Sequence, residues 1–245
     1  MTVLPPVDRD ALVATRRDLH QHPELGFQET RTGTLVAERL QSLGLTVRRG
    51  VGRTGVLTLQ NGAGGSSPGR CVLLRADMDA LPVQEQNDVA YKSRHDGVMH
   101  ACGHDGHVAI GLEVARRLAA VKLRGSVKFA FQPAEEVSNG AQAMIADGVL
   151  DAPRVDAAFG IHLWNDLPAG SIGIMAGPIM ASVDEFEIAI VGRGGHAAAP
   201  HQAIDPVLIA AHVVTGLQSL VSRRRNPFEE GVVSVTQMKR GTPST

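Results

Sequence analysis

His100-Ala101-Cys102-Gly103-His104-Asp105-Gly106-His107 packs a thiol, three imidazoles and a carboxylate into eight residues, with two glycines that let the backbone turn. Cys102 and His104 are close enough in sequence to face one space from an irregular loop. Thiolate and neutral imidazole are the usual ligands of zinc and its borderline neighbours. The alternative is a polar loop of solvated histidines. A thiol set among several imidazoles and an aspartate favours half of a metal site, whose remaining ligands must lie elsewhere in the chain.

Upstream of this loop, Cys71-Val72-Leu73-Leu74 is a continuous apolar run of the kind expected for a strand buried on both faces. Cys71 reads as core, because a free cysteine packs as a small hydrophobe. The run leads into Arg75-Ala76-Asp77-Met78-Asp79-Ala80-Leu81-Pro82, so Asp77 and Asp79 emerge at a strand's carboxyl end, where α/β sheets bind their ligands. Solvated loop carboxylates are the alternative for both. Downstream, residues 107–121 have helical apolar spacing, with Asp105 available as a cap. Val127-Lys128-Phe129-Ala130-Phe131 is a second strand, followed by Pro133-Ala134-Glu135-Glu136. A short helix over 141–147 ends at Gly148, and residues 155–164 form a strand carrying His162 near its end.

Earlier still, residues 8–22 and 29–43 read as helices, stopped by Pro23 and Gly44. His20 and His22 are read as last-turn residues facing the helix dipole rather than as ligands. Val56-Leu57-Thr58-Leu59 is a short strand, and the glycine-rich stretch 61–69 is a turn without the spacing of a phosphate loop. Later, 171–175 reads as a strand and 186–190 as a half-exposed strand of an antiparallel sheet. Gly192-Arg193-Gly194-Gly195-His196 is a loop. Asp205-Pro206 caps a helix over 207–222 that ends on Arg223, Arg224 and Arg225, and 232–236 is a final strand. Strands alternating with helices predict an α/β sheet flanked by helices.

In a mostly parallel sheet, strand carboxyl ends line one edge. Cys102, His104, the Glu135-Glu136 pair and His162 can therefore meet there. One thiolate, two imidazoles and a carboxylate suit a zinc- or manganese-type cation, or two cations. Adjacent residues of an extended segment point to opposite sides, so one glutamate can ligate while the other holds an attacking water.

Bulk properties exclude several classes. The chain has 245 residues, 43% of them apolar, and a formal net charge of −1, with 24 Lys plus Arg against 25 Asp plus Glu. That is a globular composition without the basic excess of a nucleic-acid or membrane-surface binder. Two cysteines make no disulfide framework. The N-terminal residues lack the pattern of a secretory signal, and no apolar run reaches the roughly 18 residues of a membrane span, so the expected location is cytoplasmic.

The blocks Arg75–Pro82, His100–Asp105, Pro133–Glu136, Gly160-Ile161-His162 and Gly194-Gly195-His196-Ala197, with Leu19-His20-Gln21-His22-Pro23-Glu24 near the start, resemble the M20 metallopeptidase family in its amidohydrolase branch. The resemblance implies a catalytic α/β domain, here 1–182, and the start of an inserted α+β lid and dimerisation domain, here 183–245. It implies two divalent metal ions (Mn, Zn, Co or Ni) on Cys102, His104, Glu136 and His162, with Asp77 or Asp79 in support. Glu135 would be the general base. His196 would reach a neighbouring subunit's site and steady the oxyanion. The implied activity is hydrolysis of the amide bond of N-acyl amino acids by a homodimer. A further metal-ligating His and the C-terminal part of the family fold are not found before Thr245, so the expected fold is incomplete. The competing expectation is a truncated, catalytically silent dimerising or metal-binding fragment.

Overall fold

The computed structural model describes residues 3–62, 69–137 and 139–239. The turn expected at 61–69 falls mostly on 63–68, outside the described residues. Contacts divide the chain into two units, 1–173 and 174–245.

In the first unit, helices α1 (Arg9–Gln21) and α2 (Thr30–Ser42) lead into strands β1 (Val47–Val51), β2 (Gly55–Gln60) and β3 (Cys71–Asp77). Helix α3 (His104–Ala119), strand β4 (Ser126–Gln132), helix α4 (Gly140–Ala146) and strand β5 (Ala157–Gly160) follow. The spatial order is β1-β2-β4-β3-β5. β3 runs parallel to both β4 and β5, while β2 is antiparallel to β4 and to β1. The sheet is therefore mixed rather than mostly parallel. The β1–β2 hairpin was half missed in the sequence, because Arg48, Arg49 and Gly50 hide a strand.

Period-two alternation sends the sheet's two faces into two cores. Phe129 and Phe131 of β4, with Val56 and Ala76, pack beneath Leu19, Val36, Leu40, Val108 and Leu112 of α1, α2 and α3. On the other face Leu57, Leu73 and Ala130 meet Met144 and Val149, at and just after α4. Lys128 also points to that face. It is buried, and its ammonium donates to the Val149 carbonyl at 2.9 Å and the Asp151 carbonyl at 2.5 Å.

Two helix ends differ from expectation. α3 starts at His104, not His107, after Gly103 at φ 89°, a left-handed turn that glycine adopts without a Cβ clash. Asp105 does not cap it. Its carboxylate is drawn instead to two cationic partners, Arg16 Nε at 2.8 Å and His20 Nδ1 at 2.7 Å, while His20 Nε2 lies 3.2 Å from Glu85. His20 is thus a buried bridge between α1 and α3 rather than a dipole-facing residue. His22 does take the helix end, through Nδ1 to the Asp18 carbonyl at 2.8 Å.

The second unit contains α5 (Pro206–Ser219), capped by Asp205, whose carboxylate accepts from the Val207 and Leu208 amides at 2.8 and 3.2 Å. A π-helical turn, Leu220–Arg224, follows. Residues 171–175, 186–190 and 232–236, expected as strands, join no ladder among the described residues, and Arg193 and Ile204 form an isolated bridge. The expected strand 155–164 is held to Ala157–Gly160. Alternation marks which side chains would share a face. A ladder also needs a partner backbone within hydrogen-bonding reach.

Candidate metal centre

The register of the parallel strands builds the centre. Asp77 pairs with Gln132, and Arg75 with Gly160, so β3, β4 and β5 end at nearly one level. Asp77 and Asp79 leave β3 buried, not solvated. Burial would push the Asp77 carboxyl up. A hydrogen bond from His107 Nδ1 at 2.6 Å and the charges of His104 and Arg75, the latter 2.7 Å away, outweigh it and hold Asp77 below the ordinary range. Asp79 is likewise held low against burial, by His104 and by the Glu136 amide, which donates to its carboxylate at 2.9 Å.

Hydrogen bonds set the imidazole tautomers. His104 Nδ1 donates to the Asp79 carbonyl at 2.8 Å, leaving the Nε2 lone pair free. His162 Nδ1 donates to the Leu163 carbonyl at 2.6 Å, and its Nε2 faces Cys102 Sγ at 3.4 Å. His104 Nε2 lies 3.8 Å from Glu136 Oε1. Ligand atoms of Cys102, His104 and His162 all lie within 4.8 Å of one another, as do those of His104, Glu135 and Glu136. The structure therefore brings five of the six expected site residues together: Cys102, His104, Glu135, Glu136 and His162. His196 belongs to the other unit, where it is exposed and its Nδ1 accepts from the Ala198 amide at 3.1 Å.

Asp77, His104 and His107 form a third possible ligand group. Both His107 nitrogens are already engaged, one by Asp77 and the other by the Leu163 amide at 2.9 Å, so this group reads as a hydrogen-bonded support. His107 and the Asp79 carbonyl were missed as supports of named residues. The spacing of His104 and His107, three residues apart on one helix face, was the available signal.

Two buried acceptors aimed at this space, His104 Nε2 and Glu136 Oε1, have no hydrogen-bond partner among the described residues. Leaving such a group unsatisfied costs about 1–3 kcal/mol. The protonation shifts point the same way. Burial, then the Glu136 carboxylate, pushes the Cys102 thiol up to about 12. Burial, with Glu135 and Asp79, also raises Glu136. For His104, burial acts downward, but Asp79, Asp77 and Glu136 outweigh it and leave the imidazole raised. Burial and the surrounding carboxylates set all three shifts, and a cation bound among these donors would displace the protons they favour. The donor set fits a divalent metal.

The Glu135-Glu136 loop is itself anchored. The buried Glu29 carboxylate accepts from the Ala134 amide at 2.7 Å and from the Thr54 hydroxyl. Ala134 has φ 50°, a strained value for a residue with a Cβ, so the loop depends on such anchors. Its carbonyl accepts from the Gly140 amide at 3.2 Å.

Among the described residues no helix is long and apolar enough to cross a membrane. The chain is 49% identical over 234 residues to an N-acyl-L-amino acid amidohydrolase of Geobacillus stearothermophilus, covering 94% of this chain and 62% of that protein. It is 43% identical over 230 residues to a hippurate hydrolase of Campylobacter jejuni, covering 92% and 58%. The crystal structure of a dinuclear metal-binding peptidase of the M20 family from Bacillus subtilis superposes with a TM-score of 0.70 at 42% identity, covering 85% of this chain and 55% of that one. The chain thus spans about 60% of the length of the curated relatives it matches. The sequence pattern of peptidase family M20/M25/M40 matches residues 73–244, and the chain belongs to that family.

Proposed function

We propose that this chain supplies the metal centre of an enzyme that hydrolyses the amide bond of N-acyl amino acids. The observation that carries the reading is the convergence of Cys102, His104, Glu136 and His162 donor atoms on one space, with Glu135 beside it. Those four side chains would hold the metal. A divalent cation there supplies Lewis acidity, acidifying the attacking water and polarising the acyl carbonyl. Glu135, adjacent to a ligand and half-buried, takes the water's proton and returns it to the leaving amine nitrogen. His196, from a neighbouring subunit of a homodimer formed through residues 183–245, donates a hydrogen bond to the developing oxyanion. Such a donor is worth about 3–4 kcal/mol of barrier. The relatives named for N-acyl-amino-acid, N-acetylcysteine and hippurate hydrolysis support this substrate class. The two free cysteines are compatible with the cytoplasm.

The test is a pair of variants. Glu135→Ala is expected to keep its metal and lose turnover of hippurate and N-acetyl amino acids by at least about 100-fold. Cys102→Ala is expected to lose metal by elemental analysis. Equal metal loss in both variants refutes this division of roles. Metal uptake by the wild-type chain without turnover of any N-acyl amino acid favours the second reading, a metal-binding chain that does not hydrolyse.

A further inference from the structure

His162 lies two residues beyond the four-residue strand β5 and is exposed, yet its Nε2 faces Cys102. The next residue, Leu163, explains how. Its carbonyl accepts from His162 Nδ1 at 2.6 Å, and its amide donates to His107 Nε2 at 2.9 Å. Its side chain lies over bare backbone at the start of α3, where a Cβ on Gly106 would come 2.6 Å from Leu163 Cδ1.

His107 sits 0% exposed beneath this peptide. An amide N–H pointing at Nε2 requires a lone pair there, so the ring proton is on Nδ1, where it is donated to Asp77 Oδ1 at 2.6 Å. Arg75 pairs with the other Asp77 oxygen at 2.7 Å. Only one His107 tautomer satisfies both neighbours. The order of dependence runs from Asp77 to the His107 tautomer, to the Leu163 peptide, to the His162 ring.

We propose that His107, which offers the metal no free nitrogen, is the positioning residue that holds His162 Nε2 toward Cys102 by gripping the Leu163 peptide. The inference rests on the metal-centre reading above and adds a determinant of its geometry.

The test titrates the full chain with cobalt(II), following the thiolate-to-cobalt and d–d absorption bands. Loss of an outer hydrogen-bond partner at a metal site typically costs 10- to 100-fold in affinity. His107→Leu is expected to weaken cobalt by about that factor and alter the d–d bands, while the Cys102 thiolate band persists. His107→Gln, whose amide keeps one acceptor and one donor, is expected to stay within about threefold of wild type. His162→Ala is the reference. Adding His107→Leu to it should weaken binding no further, since positioning a ligand already removed has no effect. If His107→Leu does not fold, as judged by circular dichroism, His107→Asn replaces it, since its shorter amide cannot span both partners. Wild-type affinity in His107→Leu, or a further full loss on top of His162→Ala, overturns the inference while leaving the metal centre intact. No thiolate–cobalt band in the wild-type chain overturns the metal-centre reading and this inference with it.

Discussion

Glu29 is expected to decide how firmly the Glu135-Glu136 loop is held, and its replacement by Leu and by Gln should separate shape from charge. Leu at this position removes both acceptors. The buried Ala134 amide then lacks its partner, and the Thr54 hydroxyl, which is only half-buried, loses another. At about 1–3 kcal/mol for the amide and about 1 kcal/mol for the hydroxyl, Glu29→Leu should cost roughly 2–4 kcal/mol. In a domain of this size that lowers the melting temperature by roughly 5–15 °C. Gln keeps an oxygen for the amide and an NH2 for the hydroxyl. Burial raises the Glu29 carboxyl, so the folded state favours its neutral form. For such a group the sign is definite. Its contribution is fully present below the unfolded pKa and is lost as pH rises through the folded one. Glu29→Gln, permanently neutral, should therefore be at least as stable as wild type near pH 8, with the advantage shrinking toward pH 4. Urea unfolding of the full chain at several pH values measures both. Equal destabilisation in the Gln and Leu variants would show that the anchor needs a charge, and an unchanged urea midpoint in Glu29→Leu would show that it anchors nothing.

Three further outcomes follow from the charge distribution. The His20 imidazole is raised, chiefly by its hydrogen bond to Asp105, with burial opposing and Glu85 assisting, while Arg16 acts against it. His100, 6.5 Å away ring to ring, is pushed down to about 4 by burial and stays neutral. The His20 contribution is thus present below its unfolded pKa and lost as pH rises through the folded value. Urea midpoints should fall on going from about pH 6 to pH 9, and His20→Gln should flatten that slope. In the metal-free chain the Cys102 thiol, pushed up to about 12, should react with iodoacetamide at pH 8 far more slowly than free cysteine. Metal binding should release protons, seen as a calorimetric enthalpy that varies with the buffer; a buffer-independent enthalpy contradicts the protonation pattern assigned to Cys102, Glu136 and His104.

How much of the fold could be read depended on where each element's determinants lie. The apolar run at Cys71–Leu74 and the alternation of Phe129 and Phe131 around Ala130 carry their burial in their own composition, and β3 and β4 stand where expected. The start of α3 was placed three residues late. Asp105 resembles a cap in sequence, and only Arg16 and His20, some 85 residues earlier, show where its carboxylate goes. The direction of β2 was invisible for the same reason. Val56–Leu59 reads identically parallel or antiparallel, and the choice is made by its pairing with β4.

The candidate site divides along a sharper line. The convergence of its side chains was legible because a thiol, two imidazoles and paired glutamates following strands are chemically unusual at those places. The choice of His104 over His107 came from the family resemblance and not from spacing, because which ring nitrogen is free depends on the atom opposite it. His104 and His107 sit on one helix, 5.4 Å apart ring to ring. A carbonyl at Asp79 takes the His104 Nδ1 proton and frees its Nε2. An amide at Leu163 occupies the His107 Nε2 and uses it up. A backbone oxygen in one place and a backbone N–H in the other leave one histidine with a free ring nitrogen and the other with none. Exchanging those two backbone groups would exchange the roles with no change in sequence pattern. The selectivity of the centre therefore resides in the register of β3, α3 and β5 as much as in the residues that reach it.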